Sequence, residues 1–386
     1  MKEKLELYLH IPFCVKKCAY CDFLSAPSST GMRQKYIDTL LREIHSYREQ
    51  YADRYEVDTI FVGGGTPSIL EPEQILRIFD ALRETFGISP QAEITIEANP
   101  GTVTEEKLAA WRQAGINRVS IGLQSVNDDE LKMLGRIHTY EQFEHTYHTV
   151  RNAGFANVNI DLISAIPGQT LESWERTLQR VTALEPEHIS AYSLIIEEGT
   201  PFYEWYGEGA KMQGKAPLPD EETERKMYER TEEILASCGY HRYEISNYAK
   251  EGCECRHNLG YWKRTPYLGI GLGASSLIEN VRFHHPRALE KYYDGVGGKS
   301  SLCEEREELS AQEQMEEFMF LGLRMMEGIS VQEFERQFGR PLTAVYGDVM
   351  RELKEKGLLL AEDDRVVLTK RGIDISNYVF ACFLRE

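Results

Sequence analysis

In the first half of the chain, short apolar runs alternate with longer stretches in which apolar positions recur every three or four residues. LELYLH (5–10), DTIFV (58–62), EITIE (93–97), RVSIG (118–122), NVNIDLI (157–163) and HISAYSLI (188–195) have the length and composition of buried strands. Between them, amphipathic stretches such as 31–50, 72–86, 104–114 and 170–184 predict helices. Pro72 and Glu73 mark one helix start, and Thr102 and Thr104 ahead of Glu105 and Glu106 mark another. Repeated βα units imply a parallel sheet with covering helices. Six such units are too few for a closed eight-stranded barrel, which leaves an open or partial barrel or a doubly wound sheet.

The pattern then changes. Residues of about 200–300 are irregular and rich in Gly, Tyr and Trp. From about 309, helical stretches 309–327, 330–338 and 342–357 precede LLLAEDDRVVLT (358–369), which reads as a hairpin, and a last helical stretch, 371–384. The domains expected are therefore 1–205, an irregular extension 206–305, and a small winged-helix-like α+β domain over 306–386. The would-be reading helix of that last domain, TAVYGDVMRELKEK, balances its charges, which favours an interaction role over DNA binding.

Charge narrows the partners. A formal net charge of −18 over 386 residues argues against nonspecific nucleic-acid binding, which draws on clustered Lys and Arg. An anionic ligand would need a local basic patch. No segment has the apolar length of a membrane span, and MKEKLELYLHIP is not a secretory signal, so a cytoplasmic protein is expected. Clustered cysteines in such a chain more often bind metal or do redox chemistry than form disulfides.

Three of the eight cysteines, Cys14, Cys18 and Cys21, stand at C-x3-C-x2-C spacing in HIPFCVKKCAYCDF, with no fourth cysteine following. A zinc site completed by a distant ligand accommodates that spacing. So does an iron–sulfur cluster with one iron left open. HIPFC-x3-C-x2-CDF followed by GGGTPS resembles the radical S-adenosylmethionine (SAM) enzymes. The likeness is strongest to the branch that holds oxygen-independent coproporphyrinogen III oxidase and its HemW-like heme-chaperone relatives, and it runs along most of the chain. The resemblance implies a partial (β/α)6 TIM-like radical SAM barrel and a [4Fe-4S] cluster on the three cysteines, with SAM chelating the fourth iron. It also implies an electron donor for the cluster and one-electron reduction of SAM to a 5′-deoxyadenosyl radical.

A pocket is legible apart from the family. Gly63, Gly64, Gly65 and Thr66 follow one predicted strand, Glu97 ends another, Gln124 follows a third, and Asp161 interrupts an apolar fourth. Chemistry gathers at the C-terminal strand ends of β/α barrels. Glycines there allow close backbone approach to a ligand, although a plain tight turn explains them as well. A helix cap or a surface carboxylate would account for any one of the acids. The resemblance assigns SAM contacts to Tyr8, Tyr20, Gly64, Gly65, Thr66, Glu97, Gln124, Arg136 and Asp161. The carboxylates suit the ammonium and ribose hydroxyls, and Arg136 suits the SAM carboxylate.

Two departures separate the branches. The oxidase carries another cysteine just past the third cluster cysteine, where this chain has Phe23, and it has a long N-terminal extension, whereas thirteen residues precede Cys14 here. Both favour the chaperone. CECRHNLGYWKR (253–264) holds a third feature. If extended, it would place Cys253, Cys255 and His257 on one face, as a second metal site or as two free thiols beside a packed histidine. The motif His257-Asn258-x-x-Tyr261-Trp262 resembles the HNxxYW of the chaperone branch, whose histidine is implicated in heme binding. Imidazole is a common axial heme ligand, Tyr261 and Trp262 offer flat faces, and Arg256, Lys263 and Arg264 are expected to meet propionates. An acceptor protein for heme would complete the list of partners. His284 and His285 read as polar surface residues, and Gly269, Gly271 and Gly273 as a tight backbone approach.

Overall fold

The computed structural model describes residues 2–210 and 214–384. Residues 1, 211–213 and 385–386, which the expected domains also take in, lie outside the described residues. The expected strands form one parallel array in sequence order: β1 (Glu3–Ile11), β2 (Tyr55–Gly64), β3 (Gly87–Ala98), β4 (Arg118–Gln124), β5 (Asn157–Ser164) and β6 (His188–Ser193). Parallel neighbours need crossover connections. The crossovers carry α1 (Thr30–Ser46), α2 (Pro72–Thr85), α3 (Glu105–Gln113), α4 (Tyr140–Asn152) and α5 (Leu171–Thr182). Thr104 caps α3, accepting the Lys107 N–H at 3.3 Å. The stretch 31–50 is not one helix: α1 stops at Ser46, and a separate turn, Arg48–Tyr51, follows.

Strand side chains alternate between two faces. On one face, Leu5, Leu7, Leu9, Val57, Ile60, Val62, Ile96, Val119, Ile121, Val158 and Ile160 are fully buried. The other face is polar: Glu6, Thr59, Glu93, Arg118, Asn159 and His188 are all buried there. The sheet curls around them. Tyr243 Oη lies 2.8 Å from His188 on β6 and accepts the Cys255 N–H at 3.3 Å, while the Cys255 thiol reaches Glu93 on β3 at 3.6 Å. A doubly wound sheet would bury apolar side chains on both faces. This one is a partial barrel with a polar interior.

The irregular middle region supplies both edges of the sheet. β7 (Asn247–Ala249) pairs antiparallel with β6. At the other edge, β8 (Tyr267–Ile270) lies parallel to β1, followed by the antiparallel β9 (Ser275–Ile278), β10 (Val281–His284) and β11 (Glu304–Glu308). A helix, α6 (Glu221–Ser237), packs on α5, and its Met227 carbonyl and Thr231 accept the Trp174 indole N–H. The HNxxYW stretch is not extended: Arg256–Trp262 forms a helix, α7, so Cys253, Cys255 and His257 do not share a strand face.

The C-terminal segment folds as α8 (Ala311–Gly322), α9 (Val331–Phe338), α10 (Leu342–Glu355) and a hairpin of β12 (Leu359–Glu362) and β13 (Arg365–Leu368), with Ile329–Ser330 as a third strand. Met319, Phe334, Tyr346, Val366 and Phe383 belong to a cluster of buried side chains drawn from this segment. The expected helix 371–384 breaks at Ile375 into Lys370–Asp374 and Ser376–Ala381, because Ile375 leaves the helical region at φ −121°. His285 is not a surface residue. It is wholly buried, 3.2 Å from Tyr47 Oη, 3.0 Å from the Gly271 carbonyl and 3.3 Å from Glu43, whereas His284 pairs with Glu305 at 3.0 Å. The close approach read from the glycines is present: a Cβ on Gly271 would stand 2.5 Å from Tyr36 Oη and 2.9 Å from the His10 carbonyl.

Candidate metal and cofactor site

The cysteine loop leaves the C-terminal end of β1 and is pinned by the loop after β2. Gly65 N–H donates to the Ile11 carbonyl and Thr66 N–H to the Phe13 carbonyl, each at 2.8 Å. A Cβ on Gly65 would stand 2.6 Å from the Phe13 carbonyl oxygen, and one on Gly64, at φ +109°, the same distance from the His10 ring. The glycines therefore let the two loops lie against each other. Their N–H groups are not free for a ligand: that of Gly64 is held by Glu97 Oε2 at 3.0 Å.

Cys14, Cys18 and Cys21 are half-buried free thiols on this loop. Among the described residues, no three His, Cys, Asp or Glu side chains gather as a single-ion site. A cubane makes a different demand, since each cysteine takes its own iron and the sulfurs stand around the cluster. Burial pushes the Cys21 thiol up to about 11, and Cys18 and Cys14 add to the shift. Bound iron would reverse that penalty, because a coordinating thiol is deprotonated outright. Arg136 Nη1 lies 3.7 Å from Cys18 Sγ, a cation placed against the sulfur. The donor set fits an iron–sulfur cluster.

The residues that the resemblance assigns to SAM lie on the barrel's inner face and rim. Arg136 Nη2 donates to Asn99 Oδ1 at 2.8 Å and to the Gly122 carbonyl at 2.6 Å, while its buried Nε has no acceptor among the described residues. Asn99 also donates to Thr66 Oγ1 at 2.9 Å, tying the Gly-rich loop to Arg136. Gln124 sits at φ 74°, a conformation uncommon outside glycine and often held at functional sites. Asp161 accepts Ser120 Oγ at 2.7 Å and Asn159 Nδ2 at 2.8 Å. Burial pushes Glu97 up to about 8, Asp161 raises it further, and the Gly64 N–H and Arg118 pull the other way. Two acids in one buried interior, with an orphaned guanidinium N–H beside them, match a ligand carrying both an ammonium and a carboxylate. Tyr8 Oη meets His10 Nδ1 at 3.0 Å, and Tyr20 packs edge-on against Phe202. Asn99 was not picked out from the sequence. Its place just after β3, at the C-terminal strand end, was the available signal.

A second layer lies deeper. Glu6, Thr59 and Glu93 each precede by four residues a member of the upper layer, namely His10, Gly63 and Glu97, which puts them about 13 Å further down the barrel. Helix α7 plugs this level. Glu93 accepts the N–H groups of Arg256 at 3.1 Å and His257 at 3.2 Å. His257 is 1 % exposed and stacks on Phe61 with ring centroids 5.3 Å apart. Its Nδ1 lies 2.6 Å from Thr59 Oγ1 and its Nε2 3.0 Å from Tyr261 Oη, so both ring nitrogens are engaged. Burial, then Arg118, hold its imidazole down to about 3. Asn258 is half-buried, and its backbone N–H faces the Cys255 sulfur. The basic residues expected to meet propionates are already paired: Arg256 with Asp58 at 2.6 Å, Lys263 with Glu327 at 2.9 Å and Arg264 with Glu317 at 2.9 Å.

Residues 8–181 match the Radical SAM superfamily and residues 309–375 the HemN C-terminal domain. The chain is 37 % identical to the heme chaperone HemW of Bacillus subtilis (strain 168), over 98 % of this chain and 99 % of that protein. To the heme chaperone HemW of Escherichia coli (strain K12) it is 34 % identical, over 99 % and 98 %. The solved structure of coproporphyrinogen III oxidase (HemN) from Escherichia coli, a radical SAM enzyme, superposes with a TM-score of 0.86 at 25 % identity, over 99 % of this chain and 90 % of that one.

Proposed function

The chain belongs to the radical SAM family of HemW-like heme chaperones, related to the coproporphyrinogen III oxidases, and from that membership we propose that it binds heme and passes it to an acceptor protein. The observation that carries this reading is similarity to proteins named heme chaperones along nearly the whole chain, through both the barrel and the C-terminal segment. Phe23, where the oxidase resemblance calls for a further cysteine, supports it.

In this reading Cys14, Cys18 and Cys21 hold a [4Fe-4S] cluster, reduced by an external electron donor. Arg136 takes the SAM carboxylate through its free Nε–H. Glu97 and Asp161 face the ammonium and ribose, Gln124 and Tyr20 border the ligand, and Tyr8 with Gly64, Gly65 and Thr66 shapes the wall. When bound, the cluster and SAM together supply one-electron chemistry. The polar interior holds both groups in register. No helix among the described residues is long and apolar enough to cross a membrane, in keeping with work in the cytoplasm.

Mixing heme-loaded protein with a heme-free acceptor hemoprotein tests the transfer. The expected result is loss of the donor's Soret band as the acceptor's own band grows. The second reading, an oxygen-independent coproporphyrinogen III oxidase, is favoured by the superposition on HemN. Anaerobic decarboxylation of coproporphyrinogen III with SAM and a reductant, without heme transfer, would replace the first reading with the second.

A further inference from the structure

His257 and Tyr261 sit one turn apart on α7 but take different surroundings. His257 is enclosed by Thr59, Phe61 and Glu6. Tyr261 and Trp262 line a cleft of about 530 Å³, within the ~300–1,000 Å³ range of small-molecule sites. Tyr8 and Tyr267 continue its aromatic wall, and Phe23 and Leu24, just past Cys21, face it from the cysteine loop. Phe23 leaves 61 % of its surface exposed.

The cleft also carries charge. Arg282 and Arg287 line it, and Asp22 is the one acid among the described residues of the lining. Arg287 is exposed and makes no ion pair among the described residues. Arg282 donates to Glu317 at 2.5 Å and keeps 40 % of its side chain exposed. Trp262 leaves its buried Nε1–H without an acceptor, although Arg324 covers its ring at 4.3 Å. A long aromatic wall with an unpaired guanidinium at one side calls for a flat apolar macrocycle that bears a carboxylate.

We propose that this cleft, between the cysteine loop, α7 and β10, is the tetrapyrrole seat. Arg287 takes a propionate, and His257 acts as a positioning residue behind Tyr261 rather than as the iron ligand. The proposal rests on the heme-chaperone reading and gives the cargo a place. His257 has no ring nitrogen to offer without abandoning Thr59 or Tyr261. By fixing Tyr261 at 3.0 Å it holds the aromatic wall upright, and Glu93 holds His257 in turn through the start of α7.

The test is binding of heme and of heme dimethyl ester, whose carboxylates are blocked, to the anaerobically reconstituted full chain. Arg287→Ala is expected to weaken heme about tenfold and leave the ester unchanged. His257→Gln is expected to weaken both while leaving the ligand-sensitive Soret position and EPR g-values as in wild type. Equal affinity of the Arg287→Ala protein and wild type for heme would overturn the propionate assignment, as would equal loss for heme and ester. A changed iron spectrum in His257→Gln would make His257 a ligand and overturn its positioning role. Heme binding by wild type with either outcome sinks only this seat. No heme binding by wild type would sink the chaperone reading itself.

Discussion

Glu93 closes the N-terminus of the helix that carries His257, accepting the His257 backbone N–H at 3.2 Å and that of Arg256 at 3.1 Å. The residue at the helix start, Cys255, makes no side-chain capping bond of its own. The carboxylate comes from β3, so the cap ties the HNxxYW helix directly to the barrel. An acid at this position also suits the positive end of the helix dipole.

Removing that carboxylate should loosen α7 specifically. Glu93→Ala leaves two buried N–H groups unpaired and is expected to lower stability by about 2–3 kcal/mol. Thermal unfolding measures the loss. Iron and sulfide content should stay at the wild-type level, because the cysteine loop is held by a different set of bonds.

The cysteine loop makes the opposite prediction. Cys14→Ala, Cys18→Ala and Cys21→Ala are each expected to lose the cluster absorbance, with iron and sulfide falling well below wild type after anaerobic reconstitution. Full iron and sulfide in all three variants would remove the cluster assignment.

Gly65→Ala tests the seam between the two loops. The new Cβ would stand 2.6 Å from the Phe13 carbonyl oxygen, and backbone cannot swing aside as a side chain does. The expected cost is about 1–3 kcal/mol, together with reduced cluster loading read by iron analysis. Gly101→Ala is a poor control, since Gly101 has φ +80°; Gly31→Ala, with nothing near its added Cβ, is the suitable one.

Glu6 predicts a pH dependence. Burial first, then Glu93, push its carboxyl from 4.5 up to about 9. Above pH 4.5 the unfolded chain gives up this proton and the folded chain keeps it. Its contribution therefore falls as pH rises from about 4.5 to 9, by at most ~1.4 kcal/mol per pH unit, and levels off beyond. Glu6→Gln should match wild type near pH 4 and gain on it steadily toward pH 9, as measured by denaturant unfolding at each pH. A constant difference across that range would contradict the account.

Much of the barrel was legible because Leu, Ile and Val alternate along its strands, and the outer face they form is what the helices cover. The cysteine loop was legible as local spacing. The interior was not, because its partners are distant in sequence. Glu93 meets a helix 163 residues on, and Glu43 meets His285 across the sheet. With its cap hidden in β3, α7 carried no start signal, and the sequence left open whether the stretch was extended. His285 read as surface because a His-His pair says nothing of the Glu43 and Tyr47 that enclose it. Arg256, Lys263 and Arg264 looked available for propionates until Asp58, Glu327 and Glu317 were seen to hold them.

The most direct measurement is a heme titration into the anaerobically reconstituted full chain, followed at the Soret band. The account predicts saturable binding of one heme per chain, with the cluster retained throughout. Absence of saturable binding, in protein whose iron and sulfide show the cluster to be loaded, would contradict it.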